Sequence, residues 1–286
     1  MIKDRNGSTV AADDSQERFL TFLYNKAFGR ILLKIMCRRA ISNVGALYMR
    51  SPLSKRRIKK TVEKNGIDMS EYIGRDFGSF NEFFIRKIKD GARPVDFSPE
   101  SVISPADSKL TVYDISEDSV YKIKGCEYSV EQLIADKEEA KNYNGGKCFV
   151  YRLSVDNYHR YCHIDSGREI YRKFIPGVLH TVNPIALGKL DVYGKNCREL
   201  TVIETENFGR IAFVEVGAMM VGRINNAPRG EIKRGAEKGY FSFGGSTIVV
   251  LYRKGCAVPD GDIAGNSAEE IETAVKYGER VGTKPR

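Results

Sequence analysis

Two periodicities divide the chain. From Phe19 the apolar positions Leu20, Leu23, Tyr24, Ala27, Phe28, Ile31, Leu32 and Ile35 recur at three- and four-residue intervals, which predicts a helix. Lys26, Arg30, Lys34 and Arg38 return every four residues and form one cationic stripe along it. The stretch Asp68 to Lys89 predicts two short helices with Phe80, Phe83, Phe84 and Ile88 on one face, and Arg93-Pro94 ends the helical part. From Val102 the texture changes to short apolar runs between turn residues: Val102-Ile103, Leu110-Val112, Cys148-Leu153, Leu200-Glu204, Ile211-Val216 and Thr247-Tyr252. The pattern predicts an α+β protein, with N-terminal amphipathic helices in residues 1–95 and a β-rich domain in 96–286. Residues 1–14 read as a polar, frayed leader.

One stretch breaks its own pattern. Gly239 to Tyr252 reads GYFSFGGSTIVVLY, a strand-like aromatic run interrupted by Gly244-Gly245 and then Ser246-Thr247. Glycine gives up strand preference for backbone freedom, including positive φ. The interruption is either a β-bulge or tight hairpin, or a backbone held in an unusual conformation so that Ser246 can do chemistry on it.

Charge changes the picture once it is located. The chain carries a formal net charge of +9, yet Ser15 to Lys60 alone holds twelve Lys or Arg against one acid, Glu17. That leaves 34 of the 46 basic residues and 36 of the 37 acidic ones elsewhere, a balance of −2. Positive charge confined to one helical segment argues against a nucleic-acid groove spread over the fold. An amphipathic helix with a cationic stripe, followed by the cluster Lys55-Arg56-Arg57 and Lys59-Lys60, points instead to an anionic membrane surface. No uncharged run reaches the length of a bilayer span. The alternative for the same pattern is a helix packed on its own domain with a solvated basic face.

Six cysteines, none in a CxxC pair, read as free thiols of a reducing compartment, and three histidines without a thiolate cluster make structural zinc improbable. Two of those histidines, His159 and His163, share the stretch DNYHRYCH. Four positions apart they would suit a metal on a helix, but no accompanying acid supports that. Either could serve as a general base, since imidazole titrates near neutrality. Asp107, in the turn SPAD, could complete an Asp-His-Ser relay with Ser246. No G-x-S-x-G elbow is present, which weakens a conventional hydrolase reading.

Several stretches in order resemble the phosphatidylserine decarboxylase proenzyme family, from about Phe80 to Tyr252. They are FNEFFIRKIKDGARPVD, SPAD, DNYHRY, PGVLHTVNPIAL, VGAMMVGRI and RGAEKGYFSFGGST. The resemblance implies that the Gly245-Ser246 bond cleaves itself, leaving a β chain of residues 1–245 and an α chain of residues 246–286. It also implies that Ser246 becomes a covalent pyruvoyl group, whose ketone takes up the substrate amine and then the electrons left when carbon dioxide departs. The implied substrate is phosphatidylserine, the product phosphatidylethanolamine, and the setting the cytoplasmic side of a membrane, with peripheral attachment and a homodimer expected. No external cofactor or metal is required. Asp107, His159, His163 and Ser246 are the site residues the resemblance implies. The family often shows H-R-x-H, whereas here Cys162 occupies the second place and His163 lies one beyond, so the base is one of two histidines. Ser108 stands where the family commonly has glycine after SPAD. A related serine phospholipid is the alternative substrate. The rival classes are a hydrolase using Asp107, His159 or His163, and Ser246, and a non-catalytic lipid-binding module.

Overall fold

The computed structural model describes residues 1–10, 17–37, 39–219, 223–244 and 246–285. Arg38 of the cationic stripe, residues 220–222 of VGAMMVGRI, and Gly245 lie outside them.

The run STIVVLY supplies the central strand. Ser246–Tyr252 is buried at every position, as a strand rich in β-branched residues is when both of its faces are covered. It pairs antiparallel with Gly209–Gly217 on one side and Lys147–Leu153 on the other. The described sheet has eight strands in the order Ile2–Lys3, Glu272–Val275, Ser108–Asp114, Lys147–Leu153, Ser246–Tyr252, Gly209–Gly217, Arg198–Thr205 and Gly167–Ile175. All neighbours run antiparallel except the edge pair, Ile2–Lys3 with Glu272–Val275. The architecture is α+β.

Each face of the sheet meets a different layer. Val214, Val249 and Leu251 join Leu20, Leu23 and Leu33 of the first helices in one core. Phe213, Ile248 and Val250 join Tyr161, Phe241, Val102 and Val281 in another. Those last residues belong to two three-stranded sheets, one of Ile224–Asn226, Glu237–Phe241 and Arg160–Cys162, the other of Val258–Pro259, Arg280–Thr283 and Ser101–Ile103. The Gly-Gly interruption now has its reason. The chain leaves the small sheet after Phe241 and enters the large one at Ser246, so the break is neither a bulge nor a tight hairpin but a change of sheet. Gly244 makes that passage at φ +139°, a backbone angle other residues avoid.

The single helix expected from Phe19 is divided into α1 (Glu17–Asn25) and α2 (Ala27–Met36), with α3 (Arg39–Arg50) following. Gly29 is where α2 crosses α1; a Cβ there would lie 2.1 Å from the Phe22 carbonyl oxygen. Helical spacing continues through the bend, so periodicity alone did not reveal it. Beyond α4 (Arg56–Asn65) the two short helices expected in Asp68 to Lys89 are a single 3-10 turn, Met69–Glu71, capped by Asp68, and α5 (Phe80–Phe84). Tyr72–Ile73 and Lys87–Ile88 pair as a short ladder instead, which takes Ile88 off the helical face. Ser79 caps α5 by accepting from the Glu82 backbone N–H, while the Glu82 carboxylate accepts from Gly78 N–H. The described part of the polar leader is not frayed. Ile2 is buried at the sheet edge, and Arg5 forms ion pairs with Asp260 and Asp262. No described helix is long and apolar enough to cross a membrane.

Candidate active site

Ser246 opens the central strand, opposite Gly217 and Leu153. It is fully buried, and its Oγ lies 3.5 Å from Nδ1 of His159. The other ring nitrogen of His159, Nε2, is 2.9 Å from the Ser154 carbonyl oxygen. A carbonyl only accepts, so Nε2 carries the hydrogen and Nδ1 presents its lone pair to the Ser246 hydroxyl. Phe84 of α5 stacks on the imidazole at 3.8 Å between ring centres.

A lysine holds this arrangement from below. Buried Lys109 donates to Asp156 Oδ2 at 2.7 Å and Asn157 Oδ1 at 2.8 Å, and it also contacts the Ser154 hydroxyl. Asn157 N–H in turn donates to the same Ser154 carbonyl that receives His159. The turn Ser154 to Asn157 is thereby pinned, and with it the tautomer of His159. Lys109 acts through Ser154 and is a positioning residue.

Burial pushes the His159 imidazole down to about 3, with the charge of Arg86 adding to the effect. His163 is likewise pushed down to about 3, by burial first and then by Lys238 and Arg172. A base must be unprotonated to act, and a group that titrates near 3 is unprotonated throughout the physiological range. Any reaction using His159 as base should therefore keep its rate from pH 8 to about pH 5, with no inflection near 6.5. Stability should behave differently. In the unfolded chain both histidines take up protons below about 6.5, whereas in the folded chain they do not, so stability falls as pH drops from 6.5 toward 3. At pH 5 the loss is on the order of 2 kcal/mol per histidine. Urea unfolding at pH 7 and pH 5 measures it, and equal midpoints would contradict it.

The other expected site residues are placed apart from this contact. Asp107 is buried, but its carboxylate takes hydrogen bonds from Arg93 Nε and Nη2 at 2.9 and 2.8 Å and from Tyr277 N–H at 2.8 Å, not from a histidine. The turn that carries it touches the site through the backbone, since Pro105 O accepts from Cys162 N–H at 2.9 Å. His163 follows the strand Arg160–Cys162, its backbone paired with Ala236 and Gly235. Its Nδ1 has no hydrogen-bond partner among the described residues. An extended chain separates positions four apart by roughly 13 Å, so the helical spacing considered for a shared metal does not apply. Cys162 is a buried thiol pushed up to about 12 by burial, which leaves it unreactive.

Sequence reasoning did not find Phe84, Ser154 or Lys109. Phe84 shares the apolar pattern of any core residue, Ser154 acts through its backbone carbonyl, and a lysine gives no sign along the sequence that it will be buried.

The geometry can be set beside known proteins. The sequence profile of the family described as phosphatidylserine decarboxylase matches residues 80–283. Phosphatidylserine decarboxylase proenzyme 2 of Clostridium acetobutylicum is 45% identical over 92% of this chain and 91% of its own length. The phosphatidylserine decarboxylase proenzyme of Ruminiclostridium cellulolyticum is 39% identical over 99% of this chain and 97% of its own. The chain belongs to the phosphatidylserine decarboxylase family. A third member, the proenzyme of Fusobacterium nucleatum, is 38% identical over 99% of this chain. The family's enzymes are carboxy-lyases, so the buried serine–histidine contact sits in an enzyme of that class. The matched region holds every element of the site, from α5 through the Ser154 turn to the central strand.

Proposed function

We propose that this chain is a proenzyme that cleaves itself between Gly245 and Ser246 and then converts phosphatidylserine to phosphatidylethanolamine and carbon dioxide at a membrane surface. The contact between Ser246 Oγ and the lone pair on His159 Nδ1, placed where the chain passes between sheets, carries the reading.

His159 takes the hydroxyl proton as Ser246 Oγ attacks the carbonyl carbon of Gly245 and returns it to the Ser246 nitrogen as the C–N bond breaks, which leaves an ester and a free amine. Loss of the Ser246 Cα proton then breaks the Cβ–O bond and releases Gly245 as a carboxylate. Water replaces the nitrogen of the remaining unsaturated residue and ammonia leaves, so Ser246 ends as a pyruvoyl group. Such a group supplies an electron sink for the pair left at the substrate α-carbon when carbon dioxide departs. The site residues suit its formation: Ser246 is buried, its hydroxyl faces a neutral base, and Lys109 with Ser154 fixes that base. In this reading Asp107 positions, through Arg93 and the turn bonded to Cys162, the strand that follows His159. His163 is left to act on the substrate after maturation. Intact-mass measurement tests the proposal: two chains of residues 1–245 and 246–286, the shorter lighter by one ammonia and with a blocked N-terminus. A purified protein that decarboxylates phosphatidylserine as one intact chain would overturn it.

Peripheral attachment at the cytoplasmic side of a membrane completes the proposal. Apolar side chains of α2 and α3 face outward, with Phe28 and Leu47 each 71% exposed and Ile31, Ile35 and Val44 beside them in the sequence pattern. Lys26, Arg30 and Lys34 are exposed too, as is the cluster Lys55, Arg56, Arg57, Lys59 and Lys60. Exposed apolar residues in that number mark an interaction surface, and the surrounding positive charge favours anionic lipid. Each cation near such a surface contributes about 1 kcal/mol. Reversing Lys26, Arg30, Lys34 and Arg38 to Glu should therefore cut binding to anionic vesicles by more than roughly 100-fold while self-cleavage continues. Phe28→Asp with Leu47→Asp should remove the part of binding that resists high salt. Equal co-sedimentation of parent and variants would show that this surface meets something other than lipid, such as a second copy of the chain.

A further inference from the structure

Arg86 is only 2% exposed. Its guanidinium carbon lies 4.2 Å from the centre of the Tyr72 ring and 4.6 Å from that of Phe83. Nη1 donates to the Phe83 carbonyl at 3.2 Å. Nε and Nη2 have no hydrogen-bond partner among the described residues. Leaving buried N–H groups unpaired costs about 1–3 kcal/mol each, and more on a charged group, so such an edge needs an explanation.

The same edge is used elsewhere in this protein to grip anions. Arg93 turns Nε and Nη2 to Asp107, Arg152 to Glu272 at 2.6 and 2.5 Å, and Arg210 to Glu139 at 2.9 and 2.5 Å. These two N–H groups point in parallel and match two oxygens of a carboxylate or phosphate. In Arg86 this fork has no partner among the described residues. It also lies beside the site. Arg86 is two residues beyond Phe84, which stacks on His159, and the intervening Ile85 carbonyl accepts from Arg160 Nε at 3.0 Å. Tyr72, against the guanidinium, is 6.1 Å from Tyr158. The charge of Arg86 reaches the His159 imidazole, second to burial in keeping it neutral.

We propose that the Nε/Nη2 edge of Arg86 is the phosphate-binding subsite of this enzyme and holds the phosphodiester of the substrate headgroup through two parallel hydrogen bonds. This rests on the reading of the chain as a decarboxylase of a serine phospholipid. The headgroup has two anions, and the phosphodiester is the better match. The carboxylate must lose its charge as carbon dioxide leaves, so an arginine gripping it would stabilise the ground state against the reaction. The phosphodiester keeps its charge throughout, and holding it stabilises substrate and transition state alike. Cleavage loosens the packing next to this edge. Phe243 packs 5.2 Å from Phe80 and 5.3 Å from Phe84, and after cleavage at Gly245 it belongs to a chain end that can withdraw.

The test uses the matured protein, its cleavage first confirmed by mass, with short-chain phosphatidylserine as substrate and inorganic phosphate as probe. Arg86→Gln should raise KM by roughly 10- to 100-fold with kcat nearly unchanged, as loss of a charged hydrogen-bond pair predicts. Phosphate should compete with substrate in the parent and lose that effect in Arg86→Gln, with Arg86→Lys between them because a lysine keeps the charge without the fork. A fall in kcat at unchanged KM would overturn the proposal. So would equal inhibition by phosphate of parent and variant, or competition by acetate but not by phosphate, which would assign the edge to the carboxylate. If Arg86→Gln does not fold, Arg86→Lys and the phosphate–acetate comparison on the parent still decide. If the cleaved parent does not turn over phosphatidylserine, the functional reading fails, and calorimetric titration of parent and variant with phosphate then tests Arg86 by itself.

Discussion

Ser246→Ala is expected to yield one uncut, folded chain without decarboxylase activity. The substitution removes a single oxygen from a fully buried position, and among the described residues that hydroxyl has one hydrogen-bond-range contact, the 3.5 Å approach to His159 Nδ1. Alanine keeps the Cβ and the backbone pairing with Gly217 and Leu153, so the cost to stability should stay below about 1 kcal/mol. The chemical effect is total by contrast, because in the proposed route the same hydroxyl supplies the attacking oxygen and Ser246 supplies the carbon skeleton of the prosthetic group. A denaturing gel shows the result: one band for the variant and two for the parent. Normal cleavage in the variant would exclude Ser246 as the nucleophile, and loss of folding by circular dichroism would mean that its role is structural.

The second large effect separates the two histidines. His159→Ala should slow self-cleavage by about 10²-fold or more, the usual contribution of a general base. His163→Ala should mature nearly as the parent does, since Nδ1 of His163 has no hydrogen-bond partner among the described residues and its backbone pairing with Ala236 and Gly235 survives truncation. If it acts on the substrate, the mature variant should show a lower kcat. Maturation is followed as appearance of the 246–286 chain over time, and turnover as release of carbon dioxide. His163→Ala blocked at the precursor, with His159→Ala cleaving normally, would reverse the assignment.

Much of this protein was legible along the chain. The two periodicities carry the α+β class, and the β-branched run after Ser246 marks a strand because such residues suit a pleat covered on both faces. The ordered stretches from FNEFF to GGST point to the family and single out Asp107, His159, His163 and Ser246 as candidates. Charge counting located the basic segment, because charge is a property of composition and needs no geometry. What remained hidden depends on contacts between distant residues. Helical spacing runs unbroken through Asn25 and Lys26, so only the close approach at Gly29 reveals that α1 and α2 are separate. Ile88 leaves its apparent helical face because Lys87–Ile88 finds a partner strand 15 residues upstream in the pairing with Tyr72–Ile73. The choice between His159 and His163 was open in one dimension, since both imidazoles lie in the same octet. Folding brings Nδ1 of His159 against Ser246, 87 residues away, and fixes its tautomer through a backbone carbonyl that no side-chain pattern announces. The partner of Asp107 was equally invisible: a carboxylate beside a turn can pair with any cation that the fold delivers, and here tertiary structure delivers Arg93. Residue types set which chemistry is available, and long-range packing decides which groups meet in a site dry enough to use it.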